Sequence, residues 1–310
     1  MPENNPGSHQ NAGKIIKHFP KYEPLADTVQ RIIDDLGERR KGPELKTGLE
    51  VVDKGLYGLH KGHLTILAAR AGNGKTSMAC NMAFELVNAG KKVAFVSLEM
   101  SREQILSKIF CAHHGRDRVR LARGVVTEIE KAKLQAFKKL CEEIPLRVID
   151  DYCFTQDELY TLIEYLEFRP EVLILDHLQH IRAIDNSRRS ERENLTEYLR
   201  FLKEIAMRHK IAVLCLSQIN REGDESPSLK TLKGTGAAEE MADSVLLLYL
   251  KQKDDAVMDH SKIIEAECRI AKHRFGPVGK FNLLFEANTG NFKNLEAHRE
   301  EPVKDYHEKY

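Results

Sequence analysis

The sequence predicts an α/β fold in which a mostly parallel sheet is flanked by helices and carries antiparallel strands near its C-terminal end. Three observations lead to this fold class. Continuous apolar runs alternate with longer helix-like segments between residues 64 and 216, a pattern typical of strands buried on both faces. A glycine-rich turn follows the first apolar run. After residue 243, strand-like segments follow one another with no predicted helix between them, which indicates antiparallel pairing.

The individual elements follow from length and periodicity. Short apolar runs predict strands, whereas longer segments with apolar residues at helical spacing predict helices. The predicted strands cover residues 64–68, 92–98, 146–150, 172–175, 211–216, 244–250, 263–272 and 280–285. The predicted helices in the same part of the chain cover residues 77–87, 102–115, 127–143, 156–168 and 191–209.

The chain divides into four predicted regions. Residues 1–20 are polar and predicted to be disordered, residues 21–43 hold a helix and a connector, residues 44–295 form the main domain, and residues 296–310 form a flexible tail. The first helix places Leu25, Val29, Ile32, Ile33 and Leu36 on one face, and we expect Gly37 to end it. Such an apolar face needs a partner, which is either the chain's own main domain or a neighbouring subunit.

Composition excludes several classes of protein. The 48 basic and 47 acidic residues of the 310 give a net charge of +1, so any nucleic-acid binding must come from local basic segments. The six cysteines are scattered without a C-x-x-C pair, which predicts reduced thiols rather than disulfides or a zinc site. The sequence shows neither a signal peptide nor an apolar run of membrane-spanning length. We therefore expect a cytoplasmic protein without a membrane partner.

The segment from Ala69 to Thr76 has the pattern of a phosphate-binding loop, or Walker A motif, between a strand and a helix. Glycines let backbone N–H groups face phosphate oxygens, the lysine reaches the β- and γ-phosphates, and the threonine hydroxyl binds Mg²⁺. ATP and Mg²⁺ are thus the predicted cofactors. The predicted nucleotide-binding residues are Ala71, Gly72, Asn73, Gly74, Lys75, Thr76 and Ser77. Ala69 departs from the glycine that usually opens this motif.

Ligands of parallel sheets bind where the strands end, so the residues just beyond each strand are candidates for the site. Asp176 is predicted to hold Mg²⁺ together with Thr76, although a helix-capping aspartate is the alternative. Glu99 is predicted to activate the attacking water, against the alternative of a surface glutamate. Gln218 is a weaker candidate for sensing the γ-phosphate.

In order along the chain, six segments resemble the motifs of DnaB-type replicative helicases, a RecA-like family of superfamily 4. They are residues 69–76 (ARAGNGKT), 96–100 (VSLEM), 175–179 (LDHLQ), 216–221 (LSQINR), 237–243 (AAEEMAD) and 272–277 (KHRFGP). Even the alanine that opens the phosphate-binding loop fits this family. The resemblance covers about residues 46–292 and is specific because the motifs occur together.

The resemblance implies a RecA-like ATPase motor that works as a hexameric ring. Such a ring hydrolyses ATP between subunits, translocates on single-stranded DNA and unwinds the duplex in the 5′-to-3′ direction during replication. Lys272 and Arg274 match the family's Lys-x-Arg pair, which reaches the γ-phosphate in the neighbouring subunit; the alternative is that they cap a hairpin or face solvent. Single-stranded DNA, further copies of the chain and a primase or helicase loader are the implied partners.

The family's DNA-binding loops correspond to two locally basic segments of this chain. The implied DNA-binding residues are Arg182, Arg188, Arg189, Lys230, Lys233, Thr235 and Gly236. These segments contain no aromatic residue, which predicts backbone tracking without sequence preference. A solvated run of charge is the alternative for the segment around Arg188.

The chain departs from the family pattern at several places. Lys233 and Gly234 stand where Arg-Glu is usual, and His177 stands where tyrosine is usual. We expect the C-terminal motor without the N-terminal helical collar, either as a fragment or as a compact phage or plasmid helicase. Residues 25–36 resemble the linker helix that docks on the next subunit.

Two other functions remain open on the same fold. One is a recombinase or clock-type ATPase that forms filaments or regulates without unwinding. The other is a loader or regulatory module that binds nucleotide without turnover, against which Glu99 and the Lys272–Arg274 pair argue.

Overall fold

The computed structural model describes residues 24–39, 42–150, 155–181, 190–219, 235–251 and 263–295. The chain divides into two compact units, Met1–Gly42 and Pro43–Tyr310. Within the described residues, no helix combines the length and the apolar composition that crossing a bilayer requires.

Helix α1 (Leu25–Arg39) is the described element of the first unit. The five apolar residues of its predicted face are each more than half exposed. The helix continues to Arg39, so the prediction that Gly37 ends it was wrong. A glycine lowers helix propensity by about 1 kcal/mol, but it ends a helix only where the backbone turns to the left-handed region.

The second unit alternates helices and strands for most of its length. Its helices are α2 (Glu50–Gly55), α3 (Lys75–Asn88), α4 (Arg102–His114), α5 (Arg118–Ala122), α6 (Glu128–Glu143), α7 (Gln156–Tyr165), α8 (Glu191–His209) and α9 (Thr235–Met241). Its strands are β1 (Leu64–Ala69), β2 (Val93–Ser97), β3 (Leu146–Ile149), β4 (Val172–Asp176), β5 (Ala212–Gln218), β6 (Ser244–Leu250), β7 (Ile263–His273), β8 (Gly279–Glu286) and β9 (Asn291–Asn294). The short elements α2, α5, α9 and β9 were not predicted.

Across the described residues the strands form one sheet of nine, in the order β3-β2-β4-β5-β1-β6-β7-β8-β9. The first six strands in this order pair in parallel, and β6 to β9 pair antiparallel. The predicted fold class is confirmed. Strand β6 belongs to both parts, because it pairs in parallel with β1 and antiparallel with β7. The parallel pairing was not anticipated, since α9, which precedes β6, had not been recognised.

Both faces of the central strands are buried. Along β1, Leu67 and Ala69 pack into the core on one face, whereas Leu64, Ile66 and Ala68 pack into the core on the other. Successive side chains of a strand point to opposite faces, so an unbroken apolar run fills both layers. Helices α3, α4 and α6 cover the first face, and α7 and α8 cover the second.

Four helices begin with a reciprocal capping box, in which the cap side chain and the residue three positions later satisfy each other's backbone N–H groups. The pairs are Ser101 with Gln104, Thr127 with Glu130, Thr155 with Glu158, and Ser190 with Glu193. Helix α6 therefore starts at Glu128, one residue after its predicted start, because Thr127 is the cap.

The described cysteines are unpaired. Cys80, Cys111, Cys215 and Cys268 are buried, whereas Cys141 is half-buried; Cys153 lies outside the described residues. Burial raises the pKa of the Cys80 thiol to about 12, which keeps it protonated and unreactive at neutral pH.

Candidate nucleotide-binding site

A cavity of about 320 Å³ lies at the carboxyl ends of the parallel strands. The phosphate-binding loop follows β1, Asp176 is the last residue of β4, and Gln218 is the last residue of β5. Glu99 lies two residues beyond the end of β2. The residues lining the cavity are Ala71, Gly72, Gly74, Lys75, Thr76, Ser77, Glu99, Lys108, Arg118, Gln218 and Phe285.

The loop backbone requires glycine at two positions. Gly72 has φ of 80° and Gly74 has φ of 82°, both in the left-handed region that disfavours other residues. A Cβ atom on Gly74 would also lie 3.0 Å from the Phe292 ring. Ala69, in contrast, is a buried strand residue paired with Gln218 and Leu248, where a methyl group fits. This explains why alanine is tolerated where the common motif has glycine.

The rest of the loop is tied to the sheet and to the following helix. The Asn73 N–H donates to the Arg70 carbonyl at 3.2 Å, and the Asn73 side-chain oxygen accepts from the Leu250 N–H at 3.4 Å. Ser77 lies in the first turn of α3, where Lys108 Nζ donates to its Oγ at 3.5 Å.

Thr76 and Asp176 are in direct contact. The Thr76 hydroxyl donates to Asp176 Oδ2 at 2.7 Å, across 100 residues of sequence. Asp176 is fully buried, and its Oδ1 has no hydrogen-bond partner among the described residues. Burial raises the pKa of Asp176, against the opposing effects of Thr76 and Lys75. A hydroxyl and an unpartnered carboxylate oxygen are hard oxygen ligands, so this pair fits a Mg²⁺ ion.

Three cationic side chains line the cavity. Lys75 is buried, and this burial lowers its pKa, while the carboxylates of Asp176 and Glu99 oppose the shift. Burial also lowers the pKa of Lys108, and the charge of Arg118 adds to the effect. Arg118 Nη2 donates to the Ala287 carbonyl at 2.6 Å. Cations that repel one another at a shared cavity indicate a site for a multiply charged anion.

Sequence reasoning missed Lys108 and Arg118. Both lie on helices after β2, not at the end of a strand, and a lysine or an arginine on a helix is ordinarily a solvated surface residue. The packing of α4 and α5 turns these two side chains toward the cavity, and no signal in the sequence marks them.

Glu99 has a histidine as its neighbour. His177 Nδ1 lies 3.0 Å from Glu99 Oε2, and His177 is buried whereas Glu99 is half exposed. The rings of His177 and His180 lie 4.1 Å apart, and His180 Nδ1 lies 3.1 Å from the Leu98 carbonyl oxygen. Burial, followed by the neighbouring His180, lowers the pKa of His177 to about 4. His177 is therefore neutral at physiological pH.

Gln218 lies at the rim of the cavity, and a second glutamine holds its backbone. Gln179 Nε2 donates to Ser217 Oγ at 3.0 Å and to the Gln218 carbonyl at 3.3 Å, while the Gln218 N–H donates to Gln179 Oε1. Gln179 thus links the segment after Asp176 to the end of β5.

Lys272 and Arg274 lie at the other edge of the sheet. Lys272 Nζ donates to the Ala242 carbonyl at 2.6 Å and to the Glu239 carbonyl, and Arg274 Nη1 lies 3.3 Å from Asp243 Oδ1. Asp243 Oδ2 accepts from the N–H of Leu64, the first residue of β1. The phosphate-binding loop follows the last residue of β1. The fold therefore separates this pair from the cavity within one chain.

Most of the implied DNA-binding residues, namely Arg182, Arg188, Arg189, Lys230 and Lys233, lie outside the described residues. Thr235 is the first residue of α9, and Gly236 is the second. Gly236 is exposed, and a Cβ atom built on it would lie 3.5 Å from Arg192 Nη2 on α8. The start of α9, with Thr235 and Gly236, therefore lies near the start of α8.

Residues 44–294 match the DnaB-like helicase C-terminal domain family. This chain belongs to that family. It is 31% identical to the replicative DNA helicase DnaB of Rickettsia bellii (strain RML369-C) over 91% of its own length, and 29% identical to the replicative DNA helicase DnaC of Bacillus subtilis (strain 168) over 90%. The alignment spans 64% of the length of each of these two relatives.

Two solved structures share the fold. One is an isolated ATPase domain, which superposes with a TM-score of 0.79 at 23% identity, covering 89% of this chain and 100% of that domain. The other is a DnaB-like replicative helicase, described with its interactions with primase. It superposes with a TM-score of 0.74 at 23% identity, and the match covers 89% of this chain and 68% of that helicase. The RecA-like fold that the motifs implied is thereby confirmed.

Proposed function

We propose that this chain is the motor domain of a ring-forming DNA helicase that hydrolyses ATP between subunits to move along single-stranded DNA and unwind duplex during replication. One observation carries the proposal. Phosphate-binding and carboxylate side chains converge on one cavity, while the cationic pair Lys272 and Arg274 lies at the opposite edge of the same sheet. A site built from two such edges needs two subunits.

The separation of the two edges follows from strand length. Strand β1 has six residues, and a strand rises about 3.3 Å per residue, so its first and last residues lie ~17 Å apart. Arg274 contacts Asp243 at the amino end of β1, whereas Lys75 follows the carboxyl end. An arginine side chain spans less than half of this distance, so Arg274 reaches a phosphate only in another copy of the chain.

The residues of the cavity divide the chemistry among them. The N–H groups of residues 71–77 and the Lys75 ammonium bind the phosphates, and Thr76 and Asp176 would hold Mg²⁺. When bound, the ion neutralises phosphate charge. Glu99 accepts the proton of the attacking water, and Gln218 contacts the γ-phosphate at the end of β5.

Lys108 and Arg118 add positive charge from within the same chain. Lys108 Nζ approaches the Ser77 hydroxyl, which places it beside the first turn of α3. Arg118 is anchored through Ala287, at the turn after β8. These cations bind the triphosphate from α4 and α5, and they strengthen ATP binding rather than the chemical step.

The remaining partners follow from the family. A homo-hexamer brings the edge with Arg274 to the cavity of the next subunit, and its channel is lined by the segments with Arg182, Arg188, Arg189, Lys230 and Lys233, together with Thr235 and Gly236. These basic segments bind single-stranded DNA, and the ring moves along that strand in the 5′-to-3′ direction. A primase or a loader is the proposed protein partner.

The proposal is tested by ATP hydrolysis and by mass. Single-stranded DNA is expected to stimulate hydrolysis, and Lys75→Ala is expected to abolish it. Light scattering with an ATP analogue and oligo-dT is expected to give the mass of a hexamer. A chain that stays monomeric in every condition would contradict the proposal. DNA-bound filaments in electron microscopy would support the recombinase-like alternative, and tight ATP binding without turnover would support the loader-like one.

A further inference from the structure

Glu99, Asp176 and His177 form a cluster of side chains at and just beyond the ends of β2 and β4. The proposed hydrolytic chemistry uses only two of the three. One ligand atom from each of Glu99, Asp176 and His177 lies within 4.8 Å of the other two. The two carboxylates are assigned above to water activation and to Mg²⁺. His177 has no role in that chemistry, yet its ring nitrogen faces both carboxylates.

Two atoms of the cluster are buried without a hydrogen bond. Asp176 Oδ1 and His177 Nδ1 have no hydrogen-bond partner among the described residues, although both side chains are almost completely buried. The 3.0 Å contact of Nδ1 with Glu99 Oε2 is close, but it is not aligned as a hydrogen bond. Leaving a buried polar atom unpaired costs about 1–3 kcal/mol, so two such atoms aimed into one space indicate a missing ligand.

The spacing suits a metal ion. Neighbouring ligands of a metal with bonds of about 2.1 Å lie roughly 3–3.5 Å apart. His177 Nδ1 lies 3.0 Å from Glu99 Oε2 and 3.9 Å from Asp176 Oδ1. The 3.9 Å separation exceeds this range by about 0.4 Å, so metal binding requires a small shift of His177 toward Asp176. The half-exposed Glu99 side chain can follow that shift.

The cluster is held by rigid neighbours. Ser97 pairs with Asp176 across β2 and β4, and the Leu98 N–H donates to the Asp176 carbonyl at 2.6 Å. The ring of His180 packs against that of His177 at a tilt of 42° and contacts the Leu98 carbonyl oxygen. Metal sites bind well when such outer contacts orient the ligands in advance.

Charge also suits a dication. The two carboxylates of the cluster carry two negative charges, which a divalent ion bound directly to them would neutralise. Lys75 and Lys108 act on both carboxylates through space, from the side of the cavity that faces the phosphates. A neutral imidazole adds no charge to such a site, and its unprotonated ring nitrogen offers one lone pair to a metal.

We propose that Glu99, Asp176 and His177 form a mixed nitrogen–oxygen site that binds a divalent transition-metal ion, such as Mn²⁺, Co²⁺ or Zn²⁺, when no nucleotide is bound. The imidazole separates this site from an all-oxygen Mg²⁺ site. Imidazole nitrogen favours transition metals, whereas Mg²⁺ prefers oxygen ligands and retains water. Metal binding at this site does not depend on helicase activity. A bound ion is coordinated by the Glu99 carboxylate.

Manganese binding to the nucleotide-free full chain tests the proposal. Electron paramagnetic resonance counts the free Mn²⁺ at each point of a titration, with Mg²⁺ as competitor. Pulsed resonance at low temperature reports nitrogen coupled to the bound ion. The wild-type chain is expected to show nitrogen coupling and to prefer Mn²⁺ over Mg²⁺.

The variants separate this site from others. His177→Gln is expected to abolish the nitrogen coupling and to weaken Mn²⁺ binding at least about tenfold. Glu99→Gln, at a half-exposed position that tolerates change, is expected to weaken binding while the coupling persists. His180→Gln is the matched control, since the His180 ring packs against His177 but supplies no ligand, and this variant is expected to keep the coupling.

Persistence of nitrogen coupling in His177→Gln would overturn the proposal, because the nitrogen would then come from elsewhere. Unchanged Mn²⁺ affinity in both His177→Gln and Glu99→Gln would do the same. If His177→Gln does not fold, by circular dichroism, Glu99→Gln decides alone. Loss of ATP hydrolysis with intact Mn²⁺ binding would count against the proposed motor function and not against this site.

Discussion

Removing the Arg274 side chain tests whether the ATP site is shared between two subunits or lies within one chain. In the described structure the guanidinium makes an ion pair with Asp243 and is half exposed. Asp243 itself is buried, but water reaches the half-exposed guanidinium, and ion pairs open to solvent contribute about 0–1 kcal/mol to stability. Asp243 keeps its contacts with Lys203 and with the Leu64 N–H. Arg274→Ala is therefore expected to leave the free energy of unfolding nearly unchanged.

The expected effect on turnover is much larger. An arginine supplied in trans to a transferring phosphoryl group accelerates the reaction by about 10³–10⁵-fold. Since each tenfold change corresponds to about 1.36 kcal/mol of activation free energy, its loss costs roughly 4–7 kcal/mol. Arg274→Ala is expected to reduce DNA-stimulated ATP hydrolysis at least a thousandfold, with little change in ATP binding.

Mixing two inactive variants shows whether Arg274 acts in trans. Lys75→Ala lacks a working cavity but keeps Arg274, and Arg274→Ala has the opposite defect. In a ring assembled at random from equal amounts, roughly a quarter of the interfaces join the intact cavity to the intact arginine. The mixture is expected to recover hydrolysis to about that fraction of the wild-type rate.

Arg208→Ala provides a matched control. Arg208 lies on α8, its side chain is 48% exposed like that of Arg274, and it too has an ion-pair partner, Glu164. Its removal is expected to leave hydrolysis unchanged. A mixture no more active than its two components, or an Arg274→Ala chain with wild-type turnover, would refute the inter-subunit site.

Three further changes test separate parts of the site. Arg118→Ala is expected to raise the KM for ATP by about tenfold or more at nearly constant kcat, in steady-state assays, because it removes a cation that binds ground state and transition state alike. Gly74→Ala is expected to destabilise the chain by about 1–2 kcal/mol in urea unfolding and to abolish ATP binding, since it combines φ of 82° with a 3.0 Å approach to Phe292. Burial lowers the pKa of His177 to about 4, so the folded state favours the neutral ring, whereas the unfolded chain binds a proton near pH 6.5. The contribution of the neutral ring to stability is therefore complete above pH 6.5 and is lost as the pH falls toward 4. The loss is at most roughly 3 kcal/mol, and a His177→Gln chain is expected to show a flatter dependence of Tm on pH over this range; an equally steep dependence in both chains would contradict the assignment.

The site residues at strand ends were predictable from local patterns. Asp176 directly follows an unbroken apolar run, and Gln218 follows another after one serine, Ser217. Such a run in an α/β sequence is a buried parallel strand. All parallel strands end at one edge of the sheet, so their terminal residues converge whatever the strand order. The loop glycines were predictable for the same local reason, since positive φ is a property of single residues.

Other residues depended on neighbours far away in the sequence. Lys108 and Arg118 face the cavity only because α4 and α5 pack between α3 and the turn after β8. Strand β6 lies beside β1 because α9 supplies the crossover that a parallel neighbour needs. Patterns within a short window carry no information about these placements.

The sequence by itself determined the α/β class, the phosphate-binding loop and the set of polar residues at the carboxyl edge, because each follows from the conformation and burial of a short segment. Only the tertiary structure decided that Arg274 lies at the opposite edge from Lys75 and that His177 faces Glu99. Strand order and helix packing set those positions through the burial of apolar surface summed over the whole domain, a quantity that no single segment encodes.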